Sequence, residues 1–169
     1  MKAIFRFKRI QRWLPFVFCL LAFQMVGYNQ HNPSVTVEQY QVPVLIGKTD
    51  NPIIRIKISV PGNEAQTLSR ISINTNGTTD LNDIKHIRVF YAGNDSGTKL
   101  LNNTSKLAIF GRSEKPKAKL IINGSQSLNK GDHYFWVSYE LNDQANMMGV
   151  VDGNLIELMI GSKRIKPER

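Results

Sequence analysis

Asn51-Pro52-Ile53-Ile54-Arg55-Ile56-Lys57-Ile58-Ser59-Val60-Pro61-Gly62 decides the fold class. Ile54, Ile56, Ile58 and Val60 fall on one side of an extended chain, and Arg55, Lys57 and Ser59 fall on the other. A repeat of two is the signature of a half-buried strand, and Pro61-Gly62 ends it. Ser69 to Asn74 repeats the pattern with Ile71 and Ile73 inward, and Ile84 to Tyr91 repeats it with Ile87, Val89 and Tyr91. Shorter strands are expected at 35–37, 42–46, 106–110 and 118–122, and further ones at 133–141 and 155–160.

Between these runs lie NTNGTTD (74–80), GNDSGT (93–98) and NGSQSLNKGD (123–132). Gly, Asn and Asp gather in such places because they tolerate positive φ and bond their own backbone, so all three are read as turns. Eight or nine short strands with no amphipathic helix predict an all-β fold. The expected form is a single antiparallel β-sandwich, jelly-roll-like, over residues 35–162.

The first residues differ from the rest. Lys2, Arg6, Lys8, Arg9 and Arg12 precede an apolar run from Trp13 to Val26, broken by Pro15 and Gln24. That layout predicts a secretory signal over residues 1–27, cut after Gly27, with a short segment at 28–34. The run is short for a membrane span and polar sequence soon follows it; the alternative is an uncleaved signal anchor. An exported location follows: periplasm, cell surface or medium. Cys19 is the only cysteine and lies in the signal, so the mature chain has neither disulfides nor thiolate metal sites.

Of the net charge of +9, five units lie in the signal and three in Lys163-Arg164-Ile165-Lys166-Pro167-Glu168-Arg169, leaving +1 for the body. A nucleic-acid binder carries its basic footprint on the folded body, which excludes that class. The basic tail, 163–169, is read as a linker.

Candidate chemistry is sparse. His31, His86 and His133 have no spacing suited to a metal, and no nucleophile elbow or phosphate loop occurs. No cofactor is expected. Asp80, Asp83, Asp95, Asp132, Asp143 and Asp152 fall in turns, where Asp is structural; calcium among them is the one metal reading left open. In Gly131-Asp132-His133-Tyr134-Phe135-Trp136-Val137-Ser138-Tyr139-Glu140-Leu141, alternation assigns Phe135, Val137, Tyr139 and Leu141 to the core. The other face holds Tyr134, Trp136, Ser138 and Glu140. Sugars lie with their C–H faces on aromatic rings while polar groups fix their hydroxyls, so Tyr134, Trp136 and Glu140 are the glycan-binding candidates. The alternative is a face covered by loops, with Asn142–Gly153 the nearest in sequence.

The order PVLIGKTDNPIIRIKISVPG, LSRISINTNGTTDLNDIKHIRVFYAGND and LNKGDHYFWVSYELNDQANMMGVVDG resembles the N-terminal accessory domain of bacterial BNR-repeat sialidases over about residues 35–165. The resemblance implies a carbohydrate-binding-module-like β-sandwich ahead of a propeller that removes terminal sialic acid. Its implied partners are sialylated or other glycans and a covalently linked catalytic domain. The family's Arg-Ile-Pro motif and Ser-x-Asp-x-Gly-x-x-Trp boxes are not in this sequence. Nor do Arg55, Arg70, Arg88 and Arg112 form a catalytic set: they are scattered along the chain. The expectation is a glycan-binding or scaffolding module, inactive alone; the rival is a standalone adhesin-type domain with a protein partner.

Overall fold

Among the described residues every strand pairing is antiparallel, and the pairs assemble into two sheets. The computed structural model describes residues 32–94, 106–113 and 115–168, so the expected signal at 1–27 lies outside the described residues. In chain order the strands are β1 (Ser34–Gln39), β2 (Asn51–Val60), β3 (Gln66–Asn74), β4 (Ile84–Gly93), β5 (Ala108–Ser113), β6 (Lys119–Leu128), β7 (Gly131–Leu141), β8 (Asn154–Ile160) and β9 (Lys163–Ile165). One 3-10 turn, Leu81–Asp83, precedes β4 and is capped by the Asp80 side chain, which accepts from the Asn82 N–H. The five-stranded sheet runs β1-β2-β7-β4-β5 and the four-stranded sheet β6-β3-β8-β9. The chain changes sheet between β2 and β3, β3 and β4, β5 and β6, β6 and β7, and β7 and β8. This is the β-sandwich that the alternation predicts.

The inward faces meet in one core. Ile54, Ile56 and Ile58 of β2 and Phe135, Val137 and Tyr139 of β7 face Leu68, Ile71 and Ile73 of β3 and Leu158 and Ile160 of β8, all of them fully or almost fully buried. Each such side chain contributes about 1.5–3 kcal/mol by leaving water. The described residues fall within one compact unit, His31–Arg169, with this core as its own, so that unit has what it needs to fold by itself. Pro52 has no N–H for the ladder and sits where the β2–β7 register shifts, between Pro52 and Ile54.

Three expectations differ. Residues 42–46 form no strand, and the buried Asn51 amide takes both backbone groups of Leu45. Its Oδ1 accepts from Leu45 N (2.9 Å) and its Nδ2 donates to Leu45 O (3.1 Å), Lys48 O (3.2 Å) and Tyr139 O (3.1 Å). A side chain that satisfies the backbone locally removes the need for a strand partner. Residues 123–128, read as a turn, are the second half of β6. Gly124 is there for close approach: a Cβ would strike the Phe110 carbonyl oxygen and ring, where β5 and β6 pass at the corner of the sandwich. Finally, the basic tail does not begin as a linker. Lys163–Ile165 pairs with Leu158–Ile160, and Glu168 N donates to Val35 O at 2.8 Å. Charged residues suit a short edge strand because they discourage pairing with another chain.

Candidate functional site

The three glycan-binding candidates stand on the outer face of β7, and the register fixes their neighbours. Trp136 lies between Arg55 of β2 and Phe90 of β4, and Tyr134 lies beside Lys57. The Trp136 ring is 1% exposed. Phe90 packs against it within the sheet, and Tyr40, Ala92 and Leu107 cover it. Tyr40 meets the ring edge-on, 5.3 Å between centroids at 83°. The Arg55 guanidinium lies 5.8 Å from both the Tyr134 and the Trp136 ring centroids and is ion-paired to Glu38. Tyr134 is 9% exposed. A saccharide laid on Trp136 would have to displace Tyr40 or Arg55. The cover comes from the residue after β1, from the end of β4 and from the residue before β5, not from the loop 142–153.

Glu140 lies four residues farther along β7, ~13 Å at the rise of a strand. Arg88 and Lys85 hold its carboxylate, Lys85 at 3.0 Å, and Arg88 also reaches Asp50 at 2.8 Å and Thr49 O at 3.0 Å. Burial raises the Glu140 carboxyl, but the bonds from Lys85 and Arg88 outweigh it and keep it below the usual carboxylate range. Ser138, between the two candidates, is fully buried and donates to Asn51 O at 3.1 Å. The three candidates thus share a face but form no common open surface. Trp136 Nε1 is buried without a hydrogen-bond partner.

The turn aspartates act on the backbone. Asp83 Oδ1 accepts from Asn146 N at 3.1 Å, and Asp152 Oδ1 accepts from Gly153 N at 2.7 Å and from the Gln39 amide. Asp132 takes Ser59 Oγ at 2.6 Å and Lys57 Nζ at 2.8 Å, and these two bonds, Lys57 first, lower its pKa. Among the described residues no three of His, Cys, Asp and Glu gather where they could hold one metal ion.

A different region is open. At the end of the sandwich where β7 finishes, a cleft of about 660 Å³ is walled by Val42 to Ile46 on one side and by Ala145 to Val151 on the other. Leu45, Met147 and Val150 stand exposed in its lining, Met147 at 87%, and Met148, next to it on the loop, is 90% exposed. They are held, not loose. Besides the Asp83 bond, Asn146 Oδ1 accepts from Met148 N at 2.9 Å and Asn146 O from Gly149 N at 2.9 Å. Thr79 and Thr78 hydroxyls accept from Val150 N at 3.0 Å and Asp152 N at 2.9 Å. Asn51 fixes Leu45 on the opposite wall. Methionine is flexible and polarizable, and an apolar group of this kind on a braced loop is suited to contact with another apolar surface. The sequence signal was the pair Met147-Met148 in a turn; its partners in the cleft come from 100 residues away and were not readable as neighbours.

A search of solved structures matches the Hadza microbial sialidase Hz136 with a TM-score of 0.68 at 22% identity, over 79% of this chain and 30% of that one. Among curated proteins, a sialidase of Bacteroides fragilis (strain YCH46) is 23% identical over 168 residues, 88% of this chain and 30% of that protein. The chain therefore spans about a third of the length of the relatives it matches. The model of the N-terminal domain of BNR-repeat neuraminidase matches residues 32–164. The sandwich described above, covered by that match from before β1 to within β9, belongs to the family of N-terminal domains of BNR-repeat neuraminidases.

Proposed function

We propose that this domain is the non-catalytic front module of an exported sialidase and seats the catalytic domain against the apolar end of the sandwich. The observation that carries the reading is the braced cleft lined by exposed Leu45, Met147 and Val150, with exposed Met148 on the same loop. Contiguous apolar surface on a folded domain marks a place of association. The occupant fits the relatives, which are sialidases about three times the length matched here. In that assembly the linked propeller performs hydrolysis of terminal α-sialosyl bonds, and this domain gives it position and stability. The export reading rests on the basic and apolar segment of residues 1–27.

The test uses the native product carrying Leu45→Ser, Met147→Ser and Met148→Ser together. Heat inactivation of its sialidase activity should move to lower temperature, with the rate of sialoside hydrolysis at permissive temperature unchanged. Identical inactivation of the parent and triple variant would overturn the docking role. A separate protein partner fits the same apolar end; a native product no larger than this chain would move the reading there.

A further inference from the structure

A cluster of cations flanks the apolar cleft. In a body whose net charge is +1, four of the thirteen Lys and Arg of residues 28–162 fall within eight positions, as Arg112, Lys115, Lys117 and Lys119, with one acid, Glu114, among them. All four cations are exposed. With Ile121, itself 55% exposed, they border a shallow depression of about 520 Å³ between the end of β5 and the start of β6. Elsewhere on the body Arg55, Lys57, Lys85 and Arg88 are ion-paired to carboxylates. Among the described residues Lys115, Lys117 and Lys119 have no such partner.

Hydrogen bonds tie this cluster to the cleft. Buried Thr75 donates its N–H to Ala118 O at 3.1 Å and its hydroxyl to Lys117 O at 3.2 Å. Thr78 N donates back to Thr75 O at 3.0 Å, and Thr79 N donates to Val150 O, in the cleft wall, at 2.8 Å. One turn, residues 75–79, therefore braces both, and its four steps span at most about 14 Å. Asp83 and Asp152 beside the cleft accept from Asn146 N and Gly153 N and reach none of these lysines. The end of the sandwich thus joins an apolar hollow to a positive flank.

Like charges gathered without counter-charge repel one another, and an acidic surface brought against them removes that cost. Interfaces of this make-up take affinity from the apolar centre, and orientation and register from the charged rim. The hollow is concave, so it accepts a protruding apolar group, which a folded partner offers and a flat bilayer does not. We infer that the surface seated on this end is apolar opposite the cleft and carboxylate-rich opposite Lys115, Lys117 and Lys119, and that the lysines set which way round it sits. The inference rests on the docking reading above and adds the chemistry of the docked protein face.

The native product carrying Lys115→Glu, Lys117→Glu and Lys119→Glu is compared with its parent and with the Leu45→Ser, Met147→Ser, Met148→Ser variant for heat inactivation of sialoside hydrolysis. At about 0.01 M salt, where charges act over about 30 Å, the lysine variant should inactivate at least about threefold faster than the parent, the scale of three exposed pairs lost. At about 1 M salt, where that range is about 3 Å, the two should inactivate alike, while the cleft variant stays faster than the parent at both. Residues 28–169 carrying the lysine changes should melt with their own parent, and that parent should not bind phosphatidylglycerol vesicles. A cleft variant that inactivates as the parent does overturns the docking reading and this inference with it. A sensitive cleft variant beside a lysine variant that matches the parent at low salt overturns the acidic face alone. So does a lysine effect that persists at about 1 M salt or appears in the melting of residues 28–169. Vesicle binding by residues 28–169 that the lysine changes abolish overturns the protein face in favour of lipid phosphate.

Discussion

Replacing Trp136 by alanine separates a packed ring from a ligand platform. The ring is 1% exposed and packs against Phe90, Tyr40, Ala92 and Leu107. Truncating a buried large aromatic costs about 3–5 kcal/mol, a large share of the roughly 5–15 kcal/mol that holds a domain together. At about 3–4 °C per kcal/mol for a domain of this size, the melting temperature should fall by roughly 9–20 °C. Trp136→Phe sharpens the argument. It removes an Nε1–H that is buried without a partner, worth about 1–3 kcal/mol in its favour, against the loss of part of the ring volume. The net change is expected within about 1.5 kcal/mol of zero. Circular dichroism melts of residues 28–169 give the stabilities. Trp136 is the only tryptophan there, Trp13 lying upstream, so fluorescence reports this one site. Acrylamide should quench the folded parent weakly and the unfolded chain strongly. A Trp136→Ala variant melting within about 2 °C of the parent would refute the packing account, since a buried ring cannot be deleted that cheaply.

Other perturbations probe other joints. Gly124→Ala drives a Cβ into the Phe110 carbonyl oxygen, a backbone atom that cannot swing away, and should cost about 1–3 kcal/mol in urea unfolding. Asn51→Ala strips the bonds that hold Leu45 and should cost about 2–4 kcal/mol, with faster proteolytic cutting between residues 42 and 50. Asp132 and Glu140 are both held below their ordinary values of 3.8 and 4.5, so each binds protons more readily unfolded than folded. Their contribution is complete above those values and is lost as pH falls through the lower folded ones, so the melting temperature should decline in acid below about pH 4.5. Glu140→Gln should lower stability at neutral pH and make that acid decline shallower.

The sandwich was legible because alternation is a property of short stretches. Ile54-Ile56-Ile58 and Phe135-Val137-Tyr139 show their buried face without any knowledge of partners. What failed were stretches whose meaning depends on a residue outside the stretch itself. Val42–Ile46 carries apolar residues suited to a strand, but Asn51 competes for its backbone. Asn123-Gly124-Ser125 has turn composition, yet its glycine answers the approach of Phe110. The basic tail looked like a linker because three residues cannot show a period, although they pair with β8. At the site, alternation divided the faces of β7 correctly and could not reveal that Tyr40 roofs Trp136. Arg70 was legible only as one scattered arginine; that its Nε is buried without a hydrogen-bond partner is a fact of the folded face.

The account centres on a module that works as part of a sialidase. The measurement that tests it most directly is isolation of the native product from source cells with an antibody against residues 28–169, followed by its size and its activity on a fluorogenic sialoside. A product far heavier than this chain that releases sialic acid is predicted. A product of this chain's own size with no sialidase activity would contradict it.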